Sequence, residues 1–239
     1  MKIKVISWNI WGGKNRDGVI SFLKTQNADI IALQEVTTRE KNGIEEHDAE
    51  KIAEELGYEC YFANAFTTDR HFPTYSIGNA ILSKFPIKSP QNLILSDLSD
   101  YKKNSTTEPR TAVRCVIEIE GTELHIFSTH LGYSETLLAT PLQQKQLESL
   151  MPHIPESKSI LLGDFNSIPE SEIIKQIELK LHHTDMQLDK ISWTNYKSDP
   201  AETYRIDYIF TTSDLNSDVF ALGESNASDH FPLIATLSI

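Results

Sequence analysis

Only two cysteines, Cys60 and Cys115, occur in 239 residues. Both lie in apolar, strand-like surroundings, Tyr58 to Phe62 and Val113 to Ile119. That scarcity argues against a disulfide framework and predicts two buried thiols in a reducing compartment. Basic residues are also few. Against 34 Asp and Glu stand 22 Lys and Arg, a formal charge of -12. Such a chain repels polyanions at long range, so no long basic nucleic-acid face is expected. A small phosphorylated substrate or a strand end remains compatible, because a bound metal supplies local positive charge. No apolar run approaches membrane-spanning length, so no integral membrane segment is expected. The N-terminus enters an alternating strand rather than an apolar leader, and the expectation is a cytoplasmic protein.

What is present is a chain of alternating elements. Lys2 to Trp8 alternates as a strand, and Asp29 to Leu33 is a continuous apolar strand ending in Gln34-Glu35. Val19 to Leu23 falls in a helix. His47 to Leu56 carries apolar residues at helical spacing, with Gly57 as a stop signal. Strands are predicted at Tyr58 to Ala63, Asn79 to Ser83, Ile87 to Leu95, Thr111 to Ile119 and Leu124 to Thr129, with a hairpin turn at Gly121. Leu137 to Met151 and Ser171 to Leu181 read as helices. Ser159 to Leu162, Thr203 to Phe210 and Leu233 to Leu237 read as strands. Hairpins mixed with helical crossovers predict an α/β fold in which two mixed sheets pack face to face with helices outside. No linker divides the chain, so a single domain over residues 1–239 is expected.

Short polar knots sit at the ends of the apolar runs. Glu35 is a carboxylate at a strand end, able to coordinate a hard cation such as Mg²⁺. Asn9 could offer an amide oxygen to the same ion or serve as a turn residue before Gly12-Gly13. Asp164 and Asn166, two apart in an extended segment, can face one side, where one accepts a proton from water and the other fixes an oxyanion. The bland alternative is an Asx-turn leading to Pro169. His130 ends a strand and can donate to a phosphoryl oxygen, or simply pack there. Asp207 and His230 form a candidate dyad in which the carboxylate fixes the imidazole tautomer, with Asp229 left for a metal or water. Arg110 could clamp a phosphate or close a salt bridge. Asn79 could brace the site or begin a buried strand.

The knots occur in a fixed order: Trp8-Asn9-Ile10, Leu33-Gln34-Glu35-Val36, Gly78-Asn79-Ala80-Ile81-Leu82-Ser83, Ser128-Thr129-His130-Leu131, Gly163-Asp164-Phe165-Asn166, Arg205-Ile206-Asp207-Tyr208 and Ser228-Asp229-His230. Each is weak alone, but the ordered series closely resembles the endonuclease/exonuclease/phosphatase superfamily over essentially the whole chain. The resemblance implies a four-layered α/β sandwich and Mg²⁺- or Mn²⁺-dependent hydrolysis of phosphate esters. It implies metal ligation by Asn9 and Glu35, with Asp229 beside them. Asp164 would orient or deprotonate the water, and Asn166 would hold the phosphate or a second metal. Asp207 would orient His230 against the phosphate, and His130 would bind a phosphoryl oxygen. Arg110 and Asn79 are candidate substrate-side residues.

His130 in Ser-Thr-His-Leu separates the chain from abasic-site endonucleases, which typically carry a Tyr-containing segment there. The chain looks more like the branch with deoxyribonucleases, sphingomyelinases and tyrosyl-DNA phosphodiesterases, although the last usually have Thr where Phe165 stands. A phosphodiesterase is the leading expectation. A phosphomonoesterase acting on a small metabolite or an inositol or lipid head group is one alternative, and a nuclease or DNA-end-processing enzyme another. A catalytically silent scaffold is the rival of a different class. The loops Asp69 to Ser76 and Ser96 to Pro109 are where substrate choice is expected.

Overall fold

The computed structural model describes residues 1–41, 44–68, 75–184, 193–194 and 203–239. In chain order the elements are β1 (Lys2–Asn9), α1 (Arg16–Gln26), β2 (Ile30–Lys41), β3 (Ile44–His47), α2 (Asp48–Leu56), β4 (Glu59–Thr68), β5 (Tyr75–Ser83), β6 (Ile87–Ser96), β7 (Arg110–Ile119) and β8 (Thr122–His130). The later part adds α3 (Pro141–Leu150), β9 (Ser159–Asp164), α4 (Glu172–Glu178), β10 (His182–His183), β11 (Trp193–Thr194), β12 (Thr203–Tyr204), β13 (Asp207–Thr211), β14 (Asn216–Leu222) and β15 (Leu233–Ser238).

One sheet runs β14-β15-β1-β2-β5-β4, with β3 on β2. The other runs β10-β13-β9-β8-β7-β6, and β11 pairs with β12. Each large sheet has one parallel pair at its centre, flanked by antiparallel strands. These pairs are β1 with β2, where Asn9 faces Gln34, and β8 with β9, where His130 faces Asp164. A parallel pair needs a crossover, supplied by α1 in the first sheet and α3 in the second. Both crossovers therefore bring two strand carboxyl ends side by side.

Side-chain alternation assigns the faces. Ile3 and Val5, Ile30 and Ala32, Ile126, Ile160, Leu162 and Ile209 point between the sheets and form the central core. Ile6, Trp8, Ile31 and Leu33 point out against α1 and α2. Phe127, Leu161, Phe165, Tyr208 and Phe210 point out against α3 and α4. The result is helices, sheet, sheet and helices, the expected four-layered sandwich. Asn9, Gln34, His130, Asp164 and Asp207 continue the inward phase. They lie where the apolar core gives way to polar groups at one end of the sandwich.

Several boundaries differ from the sequence reading. The third helix begins at Pro141, not Leu137, because Thr140 caps it: the Thr140 hydroxyl accepts from the Gln143 N–H while the Gln143 side chain accepts from the Thr140 N–H. Strand β2 continues past Glu35 to Lys41 through an irregularity between Leu33 and Val36. Thr203 to Phe210 is broken at Arg205-Ile206, and β14 was not anticipated. Glu120 and Gly121 both have positive φ, as a two-residue hairpin turn requires. Both cysteines are free thiols; Cys115 is buried, and Cys60 is only partly so. Burial pushes the Cys115 thiol up to about 12. No helix among the described residues is long and apolar enough to cross a membrane.

Candidate active site

The site opens at the shared carboxyl ends of the two parallel pairs. A cavity of about 540 Å³ is lined by Glu35, Arg110, His130, Asp164, Asn166, Asp229 and His230, with Trp11, Tyr133 and Tyr204 farther out. Asn9 and Asp207 stand directly behind this lining. Asn79 borders a much smaller void shared with Glu35, Arg110 and His130. All ten residues expected at the site thus converge on one end of the sandwich. The candidate loop at residues 69–74 lies outside the described residues. From the other loop, Ser105 and Glu108 reach the cavity, whereas Lys102 and Lys103 are exposed.

Glu35 has a φ of 54° at the irregularity in β2. A non-glycine residue there is strained, and the irregularity re-aims its side chain. Burial raises its carboxyl pKa, with the Asp229 charge adding to it. His230, the Asn9 amide and Arg110 oppose the rise. Asn9 Nδ2 donates to Glu35 Oε1 (3.3 Å) and to Asp164 Oδ2 (3.0 Å), while its Oδ1 accepts from the Trp11 N–H. Asn9 therefore ties the two carboxylates together. It would present oxygen to a cation only by turning its amide over.

Asp164 is buried and bonded on both oxygens. Its Oδ1 accepts from the Asn166 N–H (2.8 Å), and its Oδ2 accepts from Asn9 and lies 3.5 Å from His130 Nε2 and 3.8 Å from His230 Nε2. Burial and the Asp207 charge raise its pKa to about 7, although His230 and the two hydrogen bonds pull it down. Phe165 points the other way, edge-on to Tyr208 and Phe210. Gly163 is required just before: a Cβ there would meet the Thr129 carbonyl oxygen at 2.2 Å.

The expected dyad is formed. His230 Nδ1 lies 2.8 Å from Asp207 Oδ2, both side chains buried. Burial lowers the His230 pKa, but the Asp207 charge and hydrogen bond, then Asp164 and Asp229, outweigh it and raise it to about 10. His130 is the opposite case. Burial first, then Arg110 and His230, hold it well below the usual histidine range. Its ring lies between two donors, Arg110 Nη1 (3.4 Å at Nδ1) and Asn166 Nδ2 (3.0 Å at Nε2), which disfavours a second ring proton. Arg110 Nη2 also faces Glu108 Oε2 at 3.7 Å.

Asp164, Asp207 and His230 bring one ligand-type atom each within 4.8 Å of one another. Asp207 already occupies His230 Nδ1, which leaves Nε2, 3.8 Å from Asp164 Oδ2, as the ring atom nearest that carboxylate. The better cation donors are Glu35 and Asp229, both partly open to the cavity, with Asn9 and Asp164 beside them. These are oxygen ligands, the preference of Mg²⁺ and Mn²⁺. The Asp229 charge that raises Glu35 is the repulsion a divalent cation would relieve, so the donor set fits such an ion.

Some positioning residues were not legible beforehand. The Trp8 indole N–H donates to the His230 carbonyl (2.9 Å), and the Ser228 hydroxyl donates to the Asn9 carbonyl (2.6 Å). Together they fasten the Asp229-His230 segment to the end of β1. Gln143 of α3 donates to the Gly132 carbonyl (2.8 Å), and Gln146 accepts from the Gly132 N–H (2.8 Å). Gln143 Nε2 also reaches the Asn166 carbonyl at 3.3 Å. Two buried glutamines three apart on an amphipathic helix were the available signal.

Sequence and fold comparisons place the chain by family and by fold. Residues 6–230 match the endonuclease/exonuclease/phosphatase family. The chain belongs to that family. No curated protein matches it in sequence. Among solved structures it is similar to an endonuclease/exonuclease/phosphatase from Beutenbergia cavernae, with TM-score 0.82 and 19% identity, covering 100% of this chain and 72% of that one. A family protein from Leptotrichia buccalis gives 0.78 and 22%, covering 99% and 100%. Truncated Caenorhabditis elegans TDP2 gives 0.70 and 21%, covering 100% and 98%. At these identities the likeness is one of fold. The family resemblance of the seven motifs is therefore met by the family match over residues 6–230.

Proposed function

We propose that this family member is a divalent-metal-dependent hydrolase of phosphate esters, with a phosphodiester as its first substrate type. The observation that carries this reading is the convergence, at one cavity, of an Asp164 carboxyl with its pKa raised to about 7, the Asp207–His230 pair and the cavity-facing carboxylates Glu35 and Asp229. Asn9, Glu35 and Asp229 would hold Mg²⁺ or Mn²⁺. When bound, the ion supplies Lewis-acid stabilisation of the charge that develops on phosphate oxygen.

The chain's own residues supply the rest. Asp164, with a pKa of about 7, takes the proton from the attacking water near neutral pH. His230, an imidazolium below about 10, donates from Nε2 to a phosphoryl oxygen, while Asp207 fixes the ring from behind. Neutral His130 would give its ring N–H to a second phosphoryl oxygen once one of its two flanking donors, Arg110 Nη1 or Asn166 Nδ2, turns from the ring to that same oxygen. Asn79 braces the wall: its Nδ2 donates to the Thr111 carbonyl (2.8 Å) and joins β5 to β7 beneath the cavity.

A diester suits this charge balance because it brings one negative charge. Arg110 is already shared with Glu108, and His130 is neutral. The test is hydrolysis of bis-p-nitrophenyl phosphate with Mg²⁺ or Mn²⁺, with and without EDTA, and with p-nitrophenyl phosphate in parallel. EDTA-sensitive release from the diester is expected. Absence of metal-dependent release from either compound would refute the hydrolase reading and favour a scaffold role. Faster turnover of the monoester would transfer the assignment to a phosphomonoesterase.

A further inference from the structure

The cavity has an outer wall that the reaction itself does not use. Glu108, Tyr133 and Glu135 line it together with Trp11 and Tyr204. Arg110 is the one lining Arg or Lys among the described residues, and it is paired with Glu108 at 3.7 Å. A divalent ion would use the charge of Glu35 and Asp229. Glu135 would remain as negative charge lining the cavity, while Glu108 offsets the Arg110 cation.

Resting on the hydrolase reading, we propose that the outer pocket selects a phosphate carried on an uncharged, hydroxyl-bearing alcohol, with Glu135 rejecting any second anionic group and Glu108 offsetting the Arg110 cation that would attract one. Three features support this. Carboxylates accept hydrogen bonds from hydroxyls but repel a second phosphate. Tyr133, 38% exposed at the rim, presents an apolar ring body and a polar tip to such a group. A cavity of about 540 Å³ has room for a phosphate and a sugar- or nucleoside-sized ring, within the usual range for small-ligand sites.

The proposal is tested with two chromogenic diesters that differ by one group: the p-nitrophenyl ester of thymidine 5′-phosphate, with and without a 3′-phosphate. The expected result is a kcat/KM about tenfold lower for the 3′-phosphorylated ester at low salt, the scale of like-charge repulsion across a partly wet pocket. Added salt should shrink that gap. Glu135→Gln should narrow it, and Glu135→Lys should close or invert it. Glu108→Gln, which leaves Arg110 unpaired by that carboxylate, should narrow it as well. Equal turnover of the two esters by the wild-type protein would overturn the proposal. So would a gap that none of the three substitutions changes. Failure to hydrolyse either ester with any divalent ion would sink the hydrolase reading itself, so the two failures are distinguishable.

Discussion

The two sheets are built alike at their centres and differ in what they deliver there. In the first, the parallel ends carry Asn9 and Glu35, and the turn before β15 adds Asp229; both carboxylates are partly open to the cavity. In the second, the parallel ends carry His130 and Asp164, with Asp207 alongside on β13, all at most 5% exposed and tied to one another by hydrogen bonds or close contacts. The same topology thus produces two kinds of polar surface. Open, loosely tied carboxylates can change partners and suit a cation. Buried, mutually bonded groups have shifted pKa values and suit proton transfer. His230 crosses between them: Trp8 of the first sheet holds its backbone, and Asp207 of the second holds its ring.

On that division, the largest loss should come from the second sheet. Asp164→Asn should lower kcat by about 10²–10⁴ with an intact fold, measured on a p-nitrophenyl diester at saturating metal. An active variant would remove Asp164 from the role of base. Next, His230→Ala and Asp207→Ala should each cost about 10²–10³, and the double variant should cost no more than the worse single one. Additive losses would show two independent groups instead of a dyad.

The first sheet should respond to metal instead. Glu35→Gln should weaken divalent-ion affinity by about 10–100-fold, read as a shift of the metal-dependent rise in Tm to higher concentration. An unchanged titration would break the comparison by taking the cation away from Glu35.

The two histidines offer a finer test, in EDTA. For His130 the folded pKa is depressed, so below about pH 6.5 the unfolded chain binds a proton that the folded chain refuses. Stability should fall as pH drops through that point, and His130→Asn should flatten this limb relative to wild type. For His230 the folded pKa is raised, so its contribution is complete below about 6.5 and is lost as pH rises through about 10. His230→Asn should flatten the alkaline limb. Chemical denaturation across the pH range reads both, and limbs of the same sign would contradict the assigned environments. The smallest effect is structural: Gln143→Ala should cost about 1–3 kcal/mol, because it leaves buried carbonyls around Gly132 and Asn166 without their donor. A denaturation midpoint unchanged by that substitution would show that α3 does not position the second sheet's loops.

The site was legible to the extent that strand ends are legible. Apolar runs at Val5 to Trp8, Asp29 to Leu33, His125 to Thr129 and Ser159 to Leu162 stop at polar residues, and alternation predicts which of those face the core. Glu35 shows where that reading gives out. It follows Gln34 directly, so strict alternation would turn it outward, and only the positive-φ irregularity in β2 brings it to the cavity. Gln143 and Gln146 were hidden for a related reason. Their partners lie in loops after β8 and β9, and a helical pattern shows which face is buried but not what it meets.

By itself, then, the sequence determined the layers and the chemical inventory, because side-chain periodicity and ordered motifs are local properties of the chain. It also named the dyad partners, Asp207 and His230. Only the tertiary structure decided that they meet at 2.8 Å, that His130 and His230 shift in opposite directions, and that Glu108 draws on Arg110 at the cavity wall. Those outcomes depend on burial and on charges contributed by strands far apart in sequence, and both quantities exist only once the two sheets have packed.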